Sequence, residues 1–246
     1  KIVALRDEMA TLLEFETYAD YALEGRMASS AEAVSDFLQN LADCSRKPAL
    51  EELRVLHEFA LSKHGQEDLK AWDIAFYSEK LKQSCFDFND EEIRPYFPLP
   101  KVLDGLFFIT EKLFGIKIQK SNGKSLWHED VQFFELLNSD GSIRGCFYLD
   151  LYARPHKRGG AWMSDCIGRR RLSDDAIQKP AAMLTCNFTP PVGGHPSLLT
   201  HDDVVTLFHE FGHGLHHLLT QVDESSVAGI NGVPWWGGDL GSGDGL

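Results

Sequence analysis

Two histidines four residues apart bracket a glutamate in the string His209-Glu210-Phe211-Gly212-His213. On a helix, positions i and i+4 lie about 40 degrees apart around the axis, so His209 and His213 project from one face and their imidazoles can meet one ion. Two of the four positions around a tetrahedral zinc are filled in this way. Glu210 lies about 100 degrees around from His209, where its carboxylate reaches a water on the metal without ligating the metal itself. Neutral imidazoles leave the ion a net cation, which acidifies that water and polarises a scissile carbonyl. The carboxylate then accepts the water proton and passes it to the leaving amine. The chemistry these residue types support is hydrolysis of peptide bonds, with one Zn2+ per chain, His209 and His213 as metal ligands and Glu210 as general base.

That geometry requires a helix, and the flanking residues provide one. Val204, Leu207, Phe208, Phe211, Leu215, Leu218 and Leu219 form an apolar side at helical spacing. Thr200 followed three positions later by Asp203 resembles a capping box in which Asp replaces the usual Glu. The spacing therefore predicts the active-site helix over 200–221. The competing reading is a surface helix with satisfied histidines, against which the apolar side and the β-like segment ahead of it both weigh. His216 and His217, one turn farther along, are read as supports for the ligands or as packing residues, and His201 and Asp203 as caps.

Stepping outward, apolar positions recur at helical spacing in Ile2, Leu5, Met9, Leu12 and Leu13. They recur again in Val34, Phe37, Leu38 and Leu41, and in Leu50, Leu53, Leu56 and Phe59. Ser29-Ser30-Ala31-Glu32 offers an N-cap to the second of these helices, and Lys47-Pro48 is expected to interrupt the chain before the third. After the Pro-rich run from Arg94 to Pro100, Lys101 to Phe114 resumes a helix through Val102, Leu106, Ile109 and Leu113, ended by Gly115. The signals then become β: Ile116-Lys117-Ile118, Val131 to Leu136, Gly145 to Tyr152 and Ala181 to Phe188. The Asn138-Ser139-Asp140-Gly141 turn makes a hairpin of the second and third. The fold class expected is mainly α with a small β-sheet (α+β). Because no linker separates its parts, 1–246 reads as one domain: a helical part at 1–115, a small sheet and loops at 116–198, the active-site helix at 200–221 and an atypical Gly-rich tail at 236–246. The strand Ala182 to Phe188 is expected at the sheet edge beside the active-site helix, where an extended peptide would add as a further strand.

Composition narrows the partners. A hydrophobic fraction of 43% with 16 Phe supplies a real core, which excludes global disorder. The net charge of -13 argues against nucleic acid and against an anionic membrane, since either is repelled unless a local basic patch overrides the field. The basic clusters, Lys157-Arg158 and Arg169-Arg170-Arg171, are short and read as solvated faces or carboxylate clamps. Five cysteines without a Cys-x-x-Cys pair point to free thiols in a reducing compartment. With no long apolar span and no signal-peptide core, the cytoplasm is the expected location. The Lys1 start and the Gly-rich finish both read as cuts from a longer chain.

Thr200 to Leu207 running into Phe208 to His216 resembles the thimet oligopeptidase family of zinc metallopeptidases, peptidase family M3. So do Trp72 to Tyr77, Arg94 to Pro98, Phe147 to Tyr152, Arg158 to Met163 and Gly229 to Trp235. The resemblance covers the chain to about Trp235. It implies part of a zincin-like catalytic domain of the gluzincin type, mostly helical, with a small sheet beside the active-site helix and a deep channel admitting short peptides. It implies an endopeptidase cutting internal bonds of oligopeptides. It also implies a third zinc ligand, a Glu on a second helix, and in register that position is Asp239. An Asp carboxylate reaches about 1.5 Å less far than a Glu, and the Gly-rich surroundings of Asp239 resist helix formation, as a frameshifted or replaced tail would. Family members continue beyond this point to a Tyr and His pair that stabilises the oxyanion. Two readings of different class follow: an active zinc endopeptidase, and a non-catalytic fragment of one. A helical interaction module without metal is a third.

Overall fold

The computed structural model describes residues 1–86, 90–122 and 126–231. They group into two compact units, Lys1–Phe88 and Asn89–Leu246. About half of the described residues are helical and a small mixed sheet accompanies them, the α+β class expected.

The first unit is helical, with α1 (Ile2–Leu12), α2 (Tyr18–Leu23), α3 (Ala31–His64) and α4 (Ile74–Phe86). Ser30 caps α3 by accepting from Ala33 N at 3.0 Å, and Gly65, at φ 68, closes it in the left-handed conformation that glycine tolerates best. The interruption expected at Lys47-Pro48 does not occur: Pro48 lies inside the 34-residue α3. Proline removes one backbone donor at a cost of about 3 kcal/mol, which the continuous hydrogen bonding of the long helix on either side absorbs. Among the described residues of this unit the buried apolar ones are Ala10, Leu56 and Ala60, and Phe37, Leu41 and Leu50 of the predicted stripe are exposed. Their periodicity specified the helix without specifying burial.

The second unit begins with α5 (Asp90–Ile93), a 3-10 turn at Arg94–Tyr96 and α6 (Leu99–Phe114). The strands β1 (Lys117–Lys120), β2 (Gln132–Leu137), β3 (Ile143–Tyr152), β4 (Trp162–Ile167), β5 (Arg170–Arg171), β6 (Ile177–Gln178) and β7 (Ala181–Phe188) follow, and then α7 (His201–Leu219). The five-stranded sheet has the order β1-β2-β3-β7-β4, and β5 and β6 form a separate ribbon. The Asp140-Gly141 turn joins β2 and β3 as the antiparallel hairpin its sequence announces, with Gly141 at φ 80.

Strand β7 overturns one expectation. It pairs parallel with β3 on one side and antiparallel with β4 on the other, so it is an interior strand and offers no edge to a peptide. Along it buried Ala182, Leu184, Cys186 and Phe188 alternate with half-buried Met183, Thr185 and Asn187, so neither face is fully exposed. The free edge on this side of the sheet is β4.

Helices α6 and α7 share one face of the sheet. Phe107 of α6 meets the rings of Phe134, Phe147 and Phe211 at 5.2, 6.3 and 6.2 Å, and Phe147 meets Phe211 at 5.6 Å. Leu207, Phe211, Leu215 and Leu218 of α7 join the same core. Close approach is bought by two glycines: a Cβ on Gly214 would stand 3.3 Å from Leu184 Cδ1, and one on Gly145 would stand 2.9 Å from Pro180 O and 3.1 Å from Leu218 Cδ2. Since the backbone carbonyl of Pro180 cannot swing aside, Gly145→Ala is expected to lower stability by about 1–3 kcal/mol in urea titration. An unchanged midpoint would show that β3 shifts freely there.

Candidate active site

The N-terminus of α7 is fixed by a complete capping box: Thr200 Oγ1 accepts from Asp203 N at 3.0 Å and Asp203 Oδ2 accepts from Thr200 N at 2.9 Å. Leu207, Phe211, Leu215 and Leu218 then lock its rotation against the sheet. With that face inward, the opposite face presents His209, which is exposed, and His213, which is half-buried. Their Nε2 atoms converge to 3.1 Å, with ring centroids 4.6 Å apart and planes nearly perpendicular at 88°. Two nitrogens on a tetrahedral zinc, each about 2.0–2.1 Å from it, stand roughly 3.4 Å apart. The pair therefore fits the spacing a zinc ion requires. Asp239 lies outside the described residues, and among the described residues no third His, Cys, Asp or Glu groups with these two as a metal cluster.

Glu210 is half-buried on the flank of α7 and shares that flank with His217, seven residues on and so nearly in line. Its charge bears on Cys186 of β7. Burial pushes the Cys186 thiol up to about 12, and the negative charge of Glu210 adds to the rise. That thiol stays protonated at neutral pH, and the flank Glu210 shares with His217 is tied by His217 to Ile167 O of β4.

The remaining histidines separate. His217 is fully buried and its Nε2 donates to Ile167 O at 2.9 Å, tying α7 to the end of β4. His216 is exposed, beside an apolar cavity of about 580 Å³. His201 is exposed and stands 6.5 Å from the ring of Phe97, while Asp203 acts as the cap described.

Two features lay beyond the sequence reading. The first is β4 itself, which packs against α7 and starts at Trp162 opposite Thr185. The second is a buried ion cluster at the end of β3. Asp150 Oδ1 and Oδ2 accept from Arg154 at 2.5 and 2.7 Å, and Lys157 Nζ donates to Asp150 Oδ1 at 2.9 Å. The spacing Asp150, Arg154, Lys157 was the available signal, but Lys157 was read only as part of a short basic cluster. For Arg169 and Arg171 the clamp reading holds: both donate to the Asp223 carboxylate, at 2.9 and 2.8 Å.

The chain is similar to known proteins along most of its length. The family model described as Peptidase family M3 matches residues 1–240. Oligopeptidase A of Salmonella typhimurium is 52% identical over 235 residues, which is 96% of this chain and 35% of that protein. A probable cytosolic oligopeptidase A of Arabidopsis thaliana is 42% identical over 242 residues, and the dipeptidyl carboxypeptidase of Escherichia coli is 35% identical over 232. The chain thus spans about a third of the length of these relatives. A profile match from residue 1 to 240, together with these identities, establishes that the chain belongs to peptidase family M3.

Proposed function

We propose that this chain carries the metal-binding helix of a zinc-dependent endopeptidase that hydrolyses internal bonds of short oligopeptides. The observation that supports it most is the 3.1 Å convergence of His209 Nε2 and His213 Nε2 on the outward face of α7. The printed names of the relatives, oligopeptidase A and dipeptidyl carboxypeptidase, point to peptide substrates. His209 and His213 would hold the ion, with Asp239 at the family's third position. Bound there, zinc supplies a Lewis acid that polarises a carbonyl and lowers the pKa of water.

The chain's own groups do the rest. Glu210 accepts a proton from the attacking water and returns it to the leaving nitrogen, acting first as base and then as acid. The fixed rotation of α7 keeps that carboxylate on the side of the helix where β4 runs. The outer edge of β4 is where an extended peptide would align by main-chain hydrogen bonds, in place of the β7 edge expected from sequence. The cytoplasm is the proposed location: five free cysteines suit a reducing compartment, and no helix among the described residues is long and apolar enough to cross a membrane.

A second reading, favoured by the shorter side chain of Asp239, is a fragment that holds zinc weakly through two histidines and turns nothing over. Metal analysis beside cleavage of a quenched short peptide separates the two. The enzyme reading expects one zinc per chain, removed by a chelator and by His213→Ala, with cleavage lost in both cases. Zinc present without cleavage would select the fragment. Neither zinc nor cleavage would remove the metal assignment for this chain.

A further inference from the structure

The pairing of β3 with β7, the strand on which α7 packs, contains an irregularity. Asp150 pairs with Thr185 and Tyr152 with Phe188, so β3 advances two residues while β7 advances three. Cys186 and Asn187 form the resulting bulge, where regular ladder hydrogen bonding is interrupted. Such an interruption leaves carbonyls in need of donors, and buried ones must find them.

A lysine supplies the donors. The Lys157 side chain is only 7% exposed, and its Nζ lies 2.6 Å from Cys186 O, 2.7 Å from Tyr152 O, 2.9 Å from Asp150 O and 2.9 Å from Asp150 Oδ1. Three of these four oxygens are main-chain carbonyls, taken from both strands on either side of the bulge. A lysine needed only to neutralise Asp150 would have no reason to collect them. The other bulge residue works in the opposite direction: Asn187 Nδ2 donates to Arg158 O at 2.8 Å and Gly160 O at 2.7 Å, in the loop that launches β4 at Trp162. The bulge and the 153–161 loop are therefore tied twice, by Lys157 reaching into the sheet and by Asn187 reaching out of it.

We propose that Lys157 is a positioning residue that splices β3 to β7 at this bulge, holding the strand on which α7 packs and fixing where the edge strand β4 begins. The effect on peptide cleavage rests on the reading of Glu210 as the base, whereas the splice itself does not. Removing the ammonium takes a donor from three carbonyls and loosens the sheet beneath α7 while α7 keeps its cap.

The experiment compares Lys157→Met, the charge-neutral pair Asp150→Asn with Lys157→Met, and Lys157→Ala with and without n-propylammonium, which replaces the deleted part of the side chain. Amide exchange at residues 185–188 and 161–164 is the first readout. Lys157→Met is expected to speed exchange there by about tenfold or more. The neutral pair is expected to stay equally fast, because the carbonyls still lack a donor. n-Propylammonium, and not n-propanol at the same concentration, is expected to slow exchange in Lys157→Ala. Cleavage of the quenched peptide is expected to lose about tenfold in kcat with KM within about twofold, as for a displaced base. Recovery of native exchange in the neutral pair would overturn the proposal, since Lys157 would then be a counter-ion alone. Native exchange in Lys157→Met would overturn it as well. Should Lys157→Ala fold in neither condition, the comparison of Lys157→Met with the neutral pair decides. An unsubstituted chain that cleaves nothing would count against the Glu210 reading and leave the exchange result standing.

Discussion

Glu210→Gln is expected to reduce peptide cleavage by about 10²–10⁴-fold while leaving zinc content and fold unchanged. Glutamine keeps the length and the hydrogen-bonding capacity of the side chain and removes only the ability to take up a proton. The substitution spares the metal pair, because Glu210 points about 100 degrees away from His209 and the two Nε2 atoms that converge at 3.1 Å belong to other residues. It spares the fold, because α7 is held by the Thr200 and Asp203 cap and by the burial of Leu207, Phe211, Leu215 and Leu218, all of which remain in place. Unfolding in urea should therefore move by no more than about 0.5 kcal/mol. Three measurements on one purified protein, zinc per chain, urea midpoint and initial rate on a quenched peptide, separate loss of the base from loss of the site. Cleavage within tenfold of the parent would exclude Glu210 as the proton acceptor.

What the sequence disclosed follows from the range of the interactions involved. The start of α7 was legible in Thr200 and Asp203, and its inward face in residues three and four apart, because caps and helical faces are local. The β2–β3 hairpin was legible in Asp140-Gly141 for the same reason. Pro48 misled because a proline acts on one hydrogen bond, and the remaining length of α3 outweighed it. The position of β7 misled for a different reason. Whether a strand is central or at an edge depends on which distant segment pairs with it, and β4 reads as Trp162-Met163-Ser164-Asp165-Cys166-Ile167, with no alternation to mark it as a strand. The ion cluster was only half legible: the Asp150, Arg154, Lys157 spacing is local, but the Tyr152 and Cys186 carbonyls that Lys157 meets come together only when β3 pairs with β7.

The correction to β7 also changes how a substrate can be aligned. An interior strand transmits position and accepts nothing, so β7 serves as the rigid link between the ion cluster at the end of β3 and the edge strand β4. His217 closes the circuit from the other side through Ile167 O. The edge strand is thus pinned near its start by the Asn187 bulge and at its end by the helix that carries His209 and His213. On the proposed function, main-chain pairing along β4 would fix the height of a peptide bond relative to those histidines.

Asp150→Asn is expected to cost about 3–5 kcal/mol of stability, the usual penalty for removing one partner of a buried ion pair. The Asp150 side chain is 7% exposed and accepts from Arg154, Lys157 and Trp127 Nε1, the last at 3.2 Å. An amide in its place leaves two cations facing a neutral group. The same cluster sets the response to acid. Burial alone would raise the Asp150 pKa, but the hydrogen bonds from Arg154, Lys157 and Trp127 more than reverse it and hold the carboxyl at about 2, against 3.8 when unperturbed. A carboxyl whose pKa is depressed by folding stabilises the folded state fully above its unfolded value. That contribution, here about 1–2 kcal/mol after allowance for solvent screening, disappears as pH falls from about 4 towards 2. Urea midpoints of the parent chain should therefore decline across that window with a component that Asp150→Asn lacks. The variant should start lower at pH 7 and approach the parent as the acid range is entered. Parallel midpoints for the two proteins between pH 4 and pH 2 would show that the Asp150 carboxylate does not stabilise the end of β3 through its charge.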